Sequence, residues 1–216
     1  MLLISSHSEV AEKMHNEHDR LMGSSQDEVA HMLSVMPNLL QSLHFTGAVI
    51  HETLRLFPVG FGVQKADRGV TIAHACRTWP LDDLVMTLNA HDLHYSDKYF
   101  YQPAKFIPER WLDSKHKIPS SRFQGFGQQP SGCPGQMLAE MEIKVLLIMV
   151  MRDFRYQCVG IKRNVFSRAK YTDLDTTLGD VVFQRFGMSA RPSGRVAVKV
   201  KKRCASPSRS MEGRHP

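Results

Sequence analysis

Residues 126–135 read Phe126-Gly127-Gln128-Gln129-Pro130-Ser131-Gly132-Cys133-Pro134-Gly135, a loop broken by glycine and proline. Directly behind it, Met137 to Met151 form a long apolar segment that reads as a buried helix spanning about 135–153. A cysteine on a tight loop at a helix N-terminus is well placed to be a thiolate, because the helix dipole and the free backbone N–H groups favour the anion. Such a thiolate can hold a haem iron from one side. Taken alone, a cysteine before a helix is more often a structural or free thiol, so the rest of the chain has to decide.

Two further patterns precede the loop. Glu52-Thr53-Leu54-Arg55 lies on a helix expected from Phe45 to Phe57 and stopped by Pro58. The i, i+3 spacing puts the carboxylate and guanidinium on one face, within reach of each other. Read alone, the pair is an exposed helix salt bridge. Phe106-Ile107-Pro108-Glu109-Arg110-Trp111 follows, in a stretch from 103 to 135 that carries five of the chain's eleven prolines and reads mostly as loop. Arg110 is placed to join Glu52 and Arg55 in a Glu–Arg–Arg cluster, which is tolerable in a protein interior only if fully hydrogen-bonded.

Elsewhere, residues 8–22 read as a helix with Ser8 as N-cap, and Asp27–Ser34 as a shorter helix closed by Pro37. Pro37-Asn38-Leu39-Leu40 reads as the start of a loop. Residues 59–90 look irregular, with strand-like pieces at Gly69–Ala75 and Leu84–Leu88. Residues 179–200 look like a terminal strand pair, Val181-Val182-Phe183 against Val196-Ala197-Val198-Lys199-Val200. The fold class expected is mainly α with small β elements, residues 1–200 forming one unit and 201–216 a basic, disordered tail.

The chain has 216 residues and a formal charge of +7, and residues 191–216 carry that entire excess, leaving 1–190 neutral. The high pI is therefore no argument for a nucleic-acid surface on the body. Four cysteines (Cys76, Cys133, Cys158, Cys204) contain no C-x-x-C pair, which disfavours a structural zinc site and a dense disulfide framework, and fits a reducing compartment. No apolar run approaches a transmembrane span, and Met1-Leu2-Leu3-Ile4 is too short for a signal-peptide core, so neither a membrane anchor nor a leader is expected. His15/His18 and His91/His94 are i, i+3 pairs that read as exposed histidines rather than metal ligands. Met141, Met149 and Met151 read as core fillers.

Taken in order, Glu52-x-x-Arg55, Pro108-Glu109-Arg110-Trp111 and the Cys133 loop resemble the C-terminal half of a cytochrome P450, a haem-thiolate monooxygenase. They match its K-helix motif, the arginine motif after it and its haem-binding loop. Gln136–Lys144 resembles the L helix, residues 9–22 the J helix and 179–200 the last strand pair. The likeness covers about residues 3–200, and the wording of Lys105–Asp113 and Cys133–Gln136 is most like fungal members. The resemblance implies that Cys133 is the axial ligand of a haem, that Phe126 packs near the thiolate, and that Gly135 lets the loop pass close to the porphyrin. It implies that Glu52, Arg55 and Arg110 hold the scaffold. It also implies a reductase and a small hydrophobic, secondary-metabolite-type substrate as partners, and the cytosolic face of the endoplasmic reticulum as the family's usual setting.

The sequence departs from the family in Gln129, where a glycine is usual, and Ser131, where a basic residue meets a haem propionate. Cys76–Asp83 also departs from the strand connection expected there. No Gly-x-[Asp/Glu]-Thr-Thr oxygen-activating segment occurs anywhere. The expectation is a truncated, catalytically inactive member that retains haem poorly. Two alternatives are a working monooxygenase whose N-terminal half is absent from the gene model, and a non-enzymatic haem- or partner-binding module.

Overall fold

The computed structural model describes residues 1–22, 26–59, 62–114, 118–127, 132–168, 172, 174–186 and 190–203. Gly23–Ser25, Gln129, Ser131 and Cys204, on which parts of the sequence reading fall, lie outside them.

The helices are α1 (Leu2–Ser6), α2 (Ser8–Leu21), α3 (Gln26–Val35), α4 (His44–Leu56), α5 (Ala90–His94), α6 (Gln136–Met151) and α7 (Leu174–Leu178). The strands are β1 (Gly62–Lys65), β2 (Thr71–His74), β3 (Arg77–Pro80), β4 (Val85–Leu88), β5 (Phe154–Val159), β6 (Gln184–Phe186), β7 (Ala190–Pro192) and β8 (Ala197–Lys202). They pair in four two-stranded antiparallel ribbons, β1–β4, β2–β3, β5–β8 and β6–β7. The result is mixed helix and small sheets.

Helix α4 lies against both α2 and α6. Its N-terminus is held by a side chain from α2. Glu17 is buried, and its carboxylate accepts from the N–H groups of Phe45 (2.7 Å) and Thr46 (2.8 Å) and from the Thr46 hydroxyl (2.7 Å). Two of the amides that a helix start leaves without partners are thus satisfied by an anion at the positive end of the dipole. His18 Nε2 lies 2.9 Å from the same Thr46 hydroxyl.

The apolar faces of α1, α2 and α4 meet α7 and Phe106 in one core cluster, with Val10, Met14, Val49, Leu56, Leu174 and Leu178 all buried. A second cluster joins Met22, Val29, Leu40, Leu43 and Ile148. Helix α6 touches the first through Met151 and the second through Ile148, and these two are its buried residues. Burial of the whole helix is therefore not observed. Met137 is 76% exposed, Leu138 63% and Leu146 62%, because the apolar run has no polar side and the described residues cover only one.

Several local expectations need correction. Ser8 is the first helical residue rather than the cap, which is His7 without a side-chain bond. Pro37–Ser42 is a 3-10 helix rather than the opening of a loop. The region around 59–90 holds four strands where the sequence suggested two. The β2–β3 connection runs through Ala75 (φ 48°) and Cys76 (φ 61°), a tight turn of the left-handed kind made without glycine. Strand β8 pairs with β5, immediately after α6, and not with 181–183, which lies within the 3-10 turn Gly179–Val182 and its exit. It also continues through Lys201 and Lys202, and Arg203 pairs with Asp19 of α2.

Candidate haem-thiolate site

Glu52 and Arg55 sit one turn apart on α4, and neither is exposed at all. The exposed-bridge reading is thereby overturned. Arg55 donates from Nε and Nη2 to the two Glu52 oxygens at 2.9 Å each, the bidentate fork geometry of the strongest ion pairs. Its remaining donors reach the carbonyls of His94 (2.8 Å) and Lys105 (3.1 Å), and its guanidinium lies over the rings of Phe100 and Tyr95.

The structure brings Arg110 into this cluster. Its Nε donates to Glu52 Oε1 at 3.1 Å, and Nη1 and Nη2 donate to the carbonyls of Tyr101 and Gln102. Two more donors complete the carboxylate: the Ile107 N–H (3.0 Å) and the Trp111 indole N–H (2.9 Å). Glu52 therefore accepts five hydrogen bonds, two of them from backbone or indole groups of the Phe106–Trp111 stretch. Full satisfaction of this kind is what allows a charged group to be buried. It fixes the long loop to α4.

The Cys133 loop is built differently. Cys133 is exposed. Its N–H donates to the Phe126 carbonyl (2.8 Å), closing the loop across its base, and its carbonyl accepts from Gln136 N–H (3.3 Å) at the start of α6. Gly127 has φ +74°, a turn glycine supports without strain. Phe126 is half-buried. Gly135 is the N-cap of α6 with φ −89°, so the backbone itself does not demand glycine there. Among the described residues, a Cβ at 135 would meet only Cys133 Sγ, at 3.9 Å, an ordinary contact against the sulfur. Its absence keeps the flank of the sulfur clear. An open thiol on a closed loop ahead of a helix, flanked by the exposed apolar side chains of Met137 and Leu138, fits a flat apolar prosthetic group lying on the sulfur.

Sequence reading missed two residues between the cluster and the loop. His94, read as exposed, is completely buried. Its Nε2 accepts from Gln124 N–H at 2.9 Å, so the proton is on Nδ1, which donates to the Arg55 carbonyl at 2.9 Å. Burial pushes its pKa down to about 4, so the ring is neutral at neutral pH. Phe123 stacks on His94 and meets Trp111 edge-on with centroids 4.8 Å apart. His15 and His18 are likewise buried, and burial holds His18 down to about 4. Among the described residues no group of three metal-ligating side chains gathers, and no helix is long and apolar enough to cross a membrane.

A helical body with small ribbons, a buried Glu–Arg–Arg cluster and a cysteine loop ahead of a long apolar helix define the class, and the comparisons agree. The cytochrome P450 family model matches residues 1–168, and the chain belongs to that family. Over 92–94% of its length it is 27% identical to cytochrome P450 monooxygenase acrF of Aspergillus aculeatus, and 28% identical to PC-23 of Penicillium crustosum and to ptmG of Penicillium ochrochloron. It spans 45% of acrF and 36% of ptmG, but 98% of PC-23. All three relatives are fungal cytochrome P450 monooxygenases. The family holds haem through a cysteine thiolate and works with a reductase and hydrophobic substrates.

Proposed function

We propose that this chain forms the thiolate side of a haem-dependent monooxygenase, the C-terminal portion of the cytochrome P450 fold, and that these 216 residues by themselves do not turn over substrate. The observation that carries the first half is the open Cys133 thiol on a closed loop at the start of α6, with Gly135 leaving the sulfur's flank free. When bound, haem supplies oxygen activation, and the family reaction inserts one oxygen atom from O₂ into substrate with electrons from a reductase.

This chain's residues do the holding. Cys133 would hold the haem iron through its sulfur, and Phe126 and Gly135 would shape the space around it. Glu52, Arg55 and Arg110 fix the preceding loop to α4, so the chain reaches Phe126 from a rigid base. The second half rests on what surrounds Cys133. Two clefts among the described residues, of about 100 and 160 Å³, are lined by other segments, and each is far smaller than a substrate pocket of the usual ~300–1,000 Å³. The sequence also lacks a Gly-x-[Asp/Glu]-Thr-Thr segment.

The test is the reduced, CO-bound absorption spectrum of the purified chain supplied with haem. A Soret band of thiolate-ligated haem is expected, and Cys133→Ala removes it. No such band in the unaltered chain overturns the proposed ligation. Oxygen consumption driven by an added reductase, above that of free haem, overturns the proposed inactivity. PC-23, a monooxygenase by name and matched over nearly its whole length, favours a second reading: a unit of this span carries the activity itself. Oxygen consumption by the haem-loaded chain with an added reductase is its signature.

A further inference from the structure

We propose that His94 and His51 are positioning residues of the thiolate loop, His94 tying the chain that enters it and His51 the helix that leaves it to the helix carrying Glu52. This rests on the reading of Cys133 as the haem ligand.

Among the described residues at the end of the loop and the start of α6, Cys133, Pro134, Gln136 and Met137 are exposed. The two ends of the loop are held from α4. On the entering side, His94 spans two backbones. It donates to the Arg55 carbonyl, one of those the end of α4 leaves without a helical partner, and accepts from Gln124 N–H. Gln124 lies two residues before Phe126, whose carbonyl takes the Cys133 N–H. Phe123, stacked at 19° on the His94 ring, holds the adjacent residue in place.

On the leaving side, His51 Nε2 lies 3.3 Å from Glu140 Oε1 on α6. The same oxygen accepts from Gln136 Nε2 (2.9 Å), and Gln136 N–H bonds the Cys133 carbonyl. The hydrogen bond with His51 is the first cause holding Glu140 below the usual carboxylate range, with burial opposing it. The His51 ring also packs on Trp111 (5.3 Å) and Phe123 (5.4 Å). The two histidines therefore share Phe123, and through it the rigidity of the Glu52 cluster reaches both arms of the loop.

The experiment uses the full chain in two arms. In the haem-free arm, amide hydrogen exchange is followed in His94→Phe, which keeps the stacking and loses both ring bonds. Exchange at Gln124 and Cys133 is expected to speed up on the order of tenfold, the scale of one lost buried hydrogen bond. Ile107, bonded to Glu52, stays within about twofold. Equal acceleration at all three amides, or none at Gln124 and Cys133, overturns the proposal. His51→Leu is expected to act likewise on the amide of Gln136, and no change there overturns its half.

In the haem-loaded arm, His94→Gln is compared with His94→Asn. The longer amide reaches Gln124 N–H, whereas the shorter one reaches only the Arg55 carbonyl. The fraction of thiolate-ligated haem in the CO spectrum is expected to survive in His94→Gln and to fall in His94→Asn. Equal loss in both means that His94 is merely structural and overturns the proposal, and this pair decides the matter if His94→Phe fails to fold. If the unaltered chain shows no thiolate-ligated haem, the reading of Cys133 fails, while the exchange arm still judges the two ties.

Discussion

The Glu52 cluster and the Cys133 loop lie on either side of Phe123, and they are opposite kinds of construction. The cluster is closed: one carboxylate takes five donors, each guanidinium gives two further bonds to carbonyls, and nothing faces solvent at Glu52 or Arg55. The loop is open: its thiol is exposed, and the helix behind it buries only Ile148 and Met151 of sixteen residues. The first region has all the partners its chemistry requires within this chain. The second has polar and apolar groups whose partners are not among the described residues. A rigid closed region beside an open one is how a protein presents a reactive sulfur in a fixed position, because the site itself cannot be packed shut.

The contrast can be broken most severely at the cluster. Glu52→Ala leaves two guanidinium groups buried without a counter-charge and is expected to destabilise the chain by about 3–5 kcal/mol, read as a fall in the urea midpoint. Acid attacks the same side more gradually. His94 and His18 have folded-state pKa values of about 4, below the unfolded value near 6.5. Groups depressed in this way bind more protons when unfolded. Their contribution is complete above about pH 6.5 and is lost as the pH falls toward 4, by up to roughly 3 kcal/mol for each. Urea midpoints measured between pH 7 and 4 should show that decline, and a flat profile would contradict the buried neutral rings.

Gly125 tests the joint between the regions. A Cβ there would lie 2.3 Å from Cζ of Phe123, whose ring is confined by His94, Trp111 and His51. Gly125→Ala is expected to cost about 1–3 kcal/mol as an overpacking change and to lower haem occupancy, measured by titration. The smallest effect belongs to the open side. Leu138→Gln on exposed α6 should leave the urea midpoint within about 0.5 kcal/mol of the unaltered chain. A large loss would mean that this surface is covered.

How much of this was legible follows from whether the information is local. Glu52-x-x-Arg55 and Pro108–Trp111 could be read because helical spacing and a proline-led arginine stretch are written in consecutive residues. The spans of α2, α3, α4 and α6 came out within a residue or two for the same reason. The pairing of β8 did not, because a strand's partner is set by which edge lies free in space. Phe154-Arg155-Tyr156-Gln157-Cys158 does alternate apolar and polar ahead of Gly160, which marks a strand but not its partner. His94 could not be picked out at all. Nothing in Ala90–His94 distinguishes a histidine that spans two distant backbones from one on a surface turn, since both of its partners are main-chain groups that every residue has.

The closed cluster also has a place in time. Every donor to Glu52 comes from Arg55, Ile107, Arg110 or Trp111, all earlier in the chain than Cys133. A ribosome completes the whole clamp before it makes the sulfur. Strand β5 waits longer than β1, β2 or β6, because its partner β8 lies beyond β6 and β7 in the chain, and until then its edge is unpaired. A chain that extends only to Val159 therefore holds every residue of the clamp but leaves the β5 edge unpaired, the kind of edge on which partly folded chains aggregate.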